Sequence, residues 1–191
     1  SDCDKRKVYV SVTVLNRTEK KSDAYETGVS IIKEQKDTIP EEYLFTSIST
    51  RIQLLCGIMD TVKEINTFKT EKTQLSKDFE FLIRSLGGVD YIQELIDVYP
   101  QSQKLQIDKR FYTHKFKINR IPISSEYIKT TDKKLLRKIE AVKKIRSKFC
   151  QCIMVDSPAH TYITNHVTPT HNTVTATIGT LYDMYKLGCL K

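Results

Sequence analysis

The sequence predicts an α+β fold on three observations. Residues 47–61 and 73–86 repeat apolar side chains at spacings of three and four, the signature of helices with one buried face. Residues 7–15 and 109–118 alternate apolar and polar side chains, as half-buried strands do. The last third reads as short strands around an Asp156-Ser157-Pro158 turn. Helices packed on a sheet are therefore expected over the first part of the chain, and short strands over the last third.

Taken in order, KVYVSVTVL (7–15) places Val8, Val10 and Val12 on one face and Tyr9, Ser11 and Thr13 on the other. The remainder of the opening forty residues is polar and weakly patterned, and no element is predicted there. IPEEYLFTS (39–47) supplies a Pro-led turn, and Ser47 is a fitting N-cap for a helix carrying Ile48, Ile52, Leu55 and Ile58 or Met59. That helix should end near Asp60-Thr61. A short extended piece is expected around Ile65 to Thr70. A second helix follows from Thr73 to Leu86, with Leu75, Phe79, Leu82, Ile83 and Leu86 aligned. Gly87-Gly88 stops it, because glycine enters the left-handed region at no steric cost. DYIQELIDVYP fits helix and strand equally. KRFYTHKFKI (109–118) is expected as a strand, as are FCQCIMV (149–155) and HTYITNHV (160–167). The segment from Thr173 to Lys191 is helical in pattern, with Ile178, Leu181 and Tyr185 in line.

Bulk properties narrow the function classes. No apolar run approaches the roughly 20 residues of a membrane span, and SDCDKRKVYV carries no apolar signal core. Five cysteines at irregular spacing argue against a disulfide framework, so a reducing cytoplasm is expected. Cys150-x-Cys152 is too tight for a zinc knuckle and has no partner pair. The net charge of +8 favours polyanions, nucleic acid first. The excess is uneven: ten Lys or Arg lie between Asn119 and Cys150 against Glu126, Asp132 and Glu140. A solvated connector and a DNA-facing surface explain that run equally well.

The chemistry sits at the end of VDSPAHTYITNHVTPTHNT. Asparagine can attack its own backbone carbonyl through its side-chain amide, closing a succinimide and breaking the chain after itself. An adjacent imidazole suits protonation of the departing amide, and His171 immediately precedes Asn172. Thr173 offers a hydroxyl on the far side of the same bond, a nucleophile for acyl transfer. The longer string CQCIMVDSPAHTYITNHVTPTHNT resembles the paired C-terminal splicing motifs of inteins. In that resemblance Asp156 matches the family's acid, His160 its upstream histidine and Tyr162 its aromatic. His171 and Asn172 match the terminal pair, and Thr173 the first residue of the host protein.

The resemblance implies that Thr173 accepts the upstream host segment by transesterification. Asn172 then cyclises with help from His171 and His160, and an O-to-N shift completes the host peptide bond. No cofactor is implied for splicing. The family also begins with a Cys or Ser nucleophile and carries a Thr-x-x-His motif. Neither is found here, and all four histidines lie at or beyond His114. The N-terminal splicing half is therefore expected on another chain, as a complementary intein and host segment, or in sequence missing from this fragment.

IPEEYLFTSISTRIQLLCGIMDT resembles the second repeat of the LAGLIDADG (DOD-type) homing endonucleases. Leu55-Cys56-Gly57-Ile58-Met59-Asp60-Thr61 lines up with the first seven letters of the signature, and FKTEKTQLSKDFEFLIRSLGG with the strand and helix that follow. Small residues let two such helices pack closely, and carboxylates at their ends hold divalent cations beside the scissile phosphates. The eighth letter, the metal-binding acid, is Val62 here, and the family's glycine is Lys63. Asp60 serves the helix end, and Glu64 is the nearest substitute carboxylate. Resemblance thus implies a nuclease that needs Mg2+ when active, that has lost its acid, and that retains affinity for double-stranded DNA through charge.

TVTATIGTLYDMYKLGCLK begins with the hydroxyl residue a phosphate-binding P-loop needs after Gly-Lys, and resembles the matching segment of phage terminase large subunits. Thr173 would then be a Mg2+ ligand of the spliced ATPase as well as the splicing nucleophile. The expected organisation is a degenerate nuclease repeat over residues 1–118, a splicing segment over 119–172 and a host segment over 173–191. In fold terms that is a single LAGLIDADG-like αββ half, the all-β C-terminal part of a Hint fold, and a terminal helix. The resemblance places the protein in the cytoplasm of a bacterial or phage-infected cell.

Overall fold

The structure is a computed structural model that describes residues 9–11, 14–15, 17–97, 109–133, 135–138, 161–164 and 167–171. The fold is α+β, with four helices and eight mostly antiparallel strands among the described residues. Strand β1 (Tyr9–Ser11) opens the chain, followed by helices α1 (Ala24–Lys33), α2 (Glu41–Leu44) and α3 (Ile48–Val62). Strand β2 (Thr67–Thr70), helix α4 (Thr73–Ser85), strands β3 (Val89–Asp97) and β4 (Lys109–Asn119) and the short β5 (Thr130–Thr131) complete the main body. Strand β6 (Leu136–Lys138) pairs with β1, and β7 (Thr161–Thr164) pairs with β8 (Thr168–His171). The expected strand over 149–155 and the helix beyond Thr173 lie outside the described residues.

The expected helices form for the expected reasons. The Ser47 hydroxyl accepts from the Thr50 amide at 3.3 Å and caps α3, a contact worth about 1 kcal/mol. The helix runs to Val62 and closes on Lys63, whose φ of 61° and ψ of 27° are left-handed. Helix α4 buries Leu75, Phe79, Leu82 and Ile83 on one stripe, each contributing about 1.5–3 kcal/mol of burial. Gly87, at φ 75°, ends it. DYIQELID, which fitted helix and strand alike, is β3, because β4 pairs with it over nine residues from Val89↔Lys117 to Asp97↔Lys109.

Helix α1 is the element the sequence concealed, in the stretch expected to be unpatterned. It packs on α3 at a glycine notch. A methyl group on Gly28 would strike the Leu54 carbonyl and come within 2.9 Å of the Ile58 amide nitrogen. One on Gly57 would strike the Tyr25 carbonyl and come within 3.1 Å of the Val29 nitrogen. The contacts mirror each other: each glycine abuts residues three before and one after its counterpart. Two hydrogen bonds align the N-terminal approaches, Ser47 N to Glu19 O at 2.5 Å and Lys21 N to Thr50 Oγ1 at 3.2 Å. The helices therefore run side by side in the same sense, with Gly28 level with Gly57 and Lys33 level with Val62.

The sheet, ordered β2-β4-β3 with β5 beside the end of β4, lies against α4 and this helix pair. Phe68, Tyr112, Phe116 and Ile118 point into the core with Leu54, Leu55, Ile58 and Phe79. Arg51 is fully buried and ties three segments together. It donates to the carbonyls of Thr46 (3.1 Å), Ser85 (2.8 Å) and Leu15. Residues 119–131 run back over the body: Asn66 accepts from Lys129 N at 2.6 Å and donates to Lys129 O at 2.8 Å, and Ile128 is buried.

Candidate functional site

His171, of the five residues read as the splice junction, lies within the described residues, as the last residue of β8. Asp156, His160, Asn172 and Thr173 lie outside them. Strand β8 runs antiparallel to β7 with Thr161 opposite His171 and Tyr162 opposite Thr170. The strand that begins one residue after His160 is thus laid beside the strand that ends one residue before Asn172. Thr164 Oγ1 donates to Thr168 O across the turn at 3.0 Å. Val167 in that turn has φ 52° and is 2% exposed. A β-branched residue resists the left-handed region, so burial of its side chain outweighs the backbone strain.

A second group of candidates sits at the end of α3. Asp60 accepts from Tyr25 Oη at 3.1 Å and from Ser125 Oγ, which joins α1, α3 and the 119–131 segment. The bond to Asp60 pushes the Tyr25 phenol above its ordinary value. Glu64 is turned to Lys69, whose Nζ lies 3.0 Å from both carboxylate oxygens. Val62 is partly buried against the core, and Lys63 occupies the left-handed position just after it. The level position on α1 is Lys33. Among the described residues no group of three or more His, Cys, Asp or Glu is arranged to hold a metal ion. At the eighth signature position stands the apolar Val62, and Glu64, the nearest substitute carboxylate, is held by Lys69.

The outer face of the sheet has a different character. Along β4, Tyr112, His114, Phe116 and Ile118 are buried while Lys115 and Lys117 are exposed. Lys115 stands between Thr67 on β2 and Tyr91 on β3, and Lys117 Nζ lies 5.9 Å from the centre of the Tyr91 ring. With the exposed Lys69, this gives a basic surface interleaved with an aromatic, suited to a phosphate backbone.

No family model and no curated protein matches the chain.

One constellation went unread in the sequence. Ser76 Oγ lies 2.8 Å from His114 Nε2, and His114 Nδ1 lies 2.6 Å from Asp90 Oδ2. The connectivity is that of a serine-hydrolase triad, but its surroundings forbid the chemistry. His114 is fully buried, Ser76 and Asp90 are 4% and 7% exposed, and the imidazole packs against Phe68 and Phe79. A substrate cannot reach the hydroxyl, so the chain is a packing network that fixes α4 to β3 and β4. The strand period marks His114 as inward-facing, but its partners come from distant positions. Cys56 is 2% exposed and closed to a substrate, and burial pushes its thiol up. No helix among the described residues is long and apolar enough to cross a membrane.

Proposed function

We propose that the chain is the C-terminal part of a protein-splicing element, breaking its own backbone between Asn172 and Thr173. The observation that carries the reading is the register of β7 and β8. It pairs Thr161–Thr164 with Thr168–His171, and a junction that uses His160 and His171 at one bond calls for such a pairing of the flanking strands. In this reading the Asn172 side-chain nitrogen attacks the Asn172 carbonyl carbon, and the bond to the Thr173 nitrogen breaks. His171, assisted by His160, delivers the proton that the leaving amine takes up. Asp156 is the acid of the upstream motif. Before that step the Thr173 hydroxyl accepts the acyl group of the upstream host segment.

The first steps call for an N-terminal splicing half, whether it belongs to another chain or to sequence upstream of Ser1. The test supplies a complementary N-terminal half carrying its host segment. Ligated host product is expected with the native chain and its loss is expected with Asn172→Ala; ligation that continues in Asn172→Ala overturns the proposal.

A second reading concerns residues 19–131, and the Gly28–Gly57 notch favours it. Two helices closely packed in the same sense, followed by an antiparallel sheet with a basic outer face, suit a LAGLIDADG-type DNA-binding body. Helix α1 then stands where the first repeat's helix belongs. At the level positions Lys33 and Val62 neither helix places a carboxylate, and Glu34 at the end of α1 is paired with Lys36, so in this reading the body binds duplex DNA without cutting it. Lys63 keeps the left-handed turn that the family assigns to glycine, as a sequence altered after its backbone was set would do. The host reading remains that Thr173 opens a terminase-like P-loop helix, where it would ligate Mg2+ after splicing.

A further inference from the structure

A cleft of about 650 Å³ lies between the outer face of α4 and the β7–β8 hairpin, and none of the chemistry above uses it. Its floor is aromatic: the Phe45 and Phe81 rings lie 5.1 Å apart, tilted by 48°. Phe45 is 41% exposed, and Ile163 on the hairpin wall is 45% exposed, so the cleft presents apolar surface to water. Three cations, Arg17, Lys77 and Arg84, line the cleft against one acid, Glu80. Glu80 pairs with Arg84 Nη2, but Arg84 Nε is buried and has no acceptor among the described residues.

We propose that this cleft binds a nucleotide, its base against Phe45 and Phe81 and its phosphates held by Arg17, Lys77 and Arg84. An inorganic anion would leave the aromatic floor uncovered, and an apolar ligand would leave the cations unused. A flat aromatic group joined to phosphate uses both. The volume falls within the range of about 300–1,000 Å³ typical of small-ligand sites. The same chemistry is offered by a free nucleotide and by one unit of a single strand. Since Ile163 and Val167 form one wall, an occupant would bridge the splicing hairpin and the helical body.

The test is calorimetric titration of the full chain at low salt with ATP, inorganic pyrophosphate and a short oligothymidylate. ATP is expected to bind more tightly than pyrophosphate. Phe45→Ala should weaken ATP by at least about fivefold, the loss of one stacked base, and leave pyrophosphate unchanged. Phe45→Leu keeps apolar packing and should weaken ATP similarly, which separates stacking from misfolding. The exposed Lys77→Gln should weaken both ligands. Oligothymidylate tighter than ATP, with the same sensitivity to Phe45→Ala, assigns the site to a single strand; the reverse order assigns it to free nucleotide. ATP binding no tighter than pyrophosphate, indifference to both Phe45 variants, or no heat with any ligand overturns the proposal.

Discussion

Gly28 and Gly57 set the distance between α1 and α3, because each lacks the one carbon atom that backbone on the opposite helix would meet. Alanine raises intrinsic helix propensity by about 1 kcal/mol over glycine, so an exposed substitution of this kind would stabilise. Here the backbone cannot yield, and Gly57→Ala should instead cost about 1–3 kcal/mol, the range of overpacked cores. Urea unfolding checks the sign directly. At the same interface, donation to Asp60 raises the Tyr25 phenol above 10.0. A raised pKa means that the bond's stabilisation is complete below the ordinary tyrosine value and is lost as pH rises through the raised one. Absorbance titration of the native chain against Tyr25→Phe isolates this phenol, and Asp60→Asn should bring it down. Arg51 runs the opposite way. Burial lowers its pKa to about 10, so the charge it carries at neutral pH opposes folding and is tolerated for the three carbonyls it satisfies.

Among the elements, α3 and the turn after it are the most informative. Lys63 holds φ at 61°, a conformation glycine adopts without steric penalty. Lys63→Gly should therefore raise stability by about 0.5–1 kcal/mol, measured as a higher denaturation midpoint with unchanged slope. Helix α4 was legible in the sequence because its stripe of Leu75, Phe79, Leu82 and Ile83 and the Gly87 stop are local signals. Strand β3 was half legible: VDYIQELID satisfies both periods, and the pairing with β4 that decides between them is not local. Helix α1 was illegible. Its buried face is Ala24, Gly28 and Ile31, two of them too small to register as apolar periodicity, and its worth lies in fitting α3. The same holds for Asp60, which the sequence marked as a helix-end residue without revealing Tyr25 and Ser125 as its donors.

For the whole molecule, the opening strand ties distant segments together. Strand β1 pairs with β6, while Val14, just beyond β1, bridges to Leu86 at the end of α4. The opening residues thus link the basic segment to the helical body. If the sheet face holds duplex DNA, log affinity should fall linearly with log salt. Each of Lys69→Gln, Lys115→Gln and Lys117→Gln should reduce that slope by about 1. No magnesium-dependent cutting is expected; nicking abolished by Asp60→Asn or Glu64→Gln would refute the reading of both helix ends. The splicing claim is tested most directly by intact mass of the chain after brief incubation with its complementary half. Cyclisation at Asn172 predicts a released fragment ending at that residue and lighter by one water than hydrolysis would leave. A fragment at the hydrolysed mass from the outset, or the same fragment from Asn172→Ala, would contradict it.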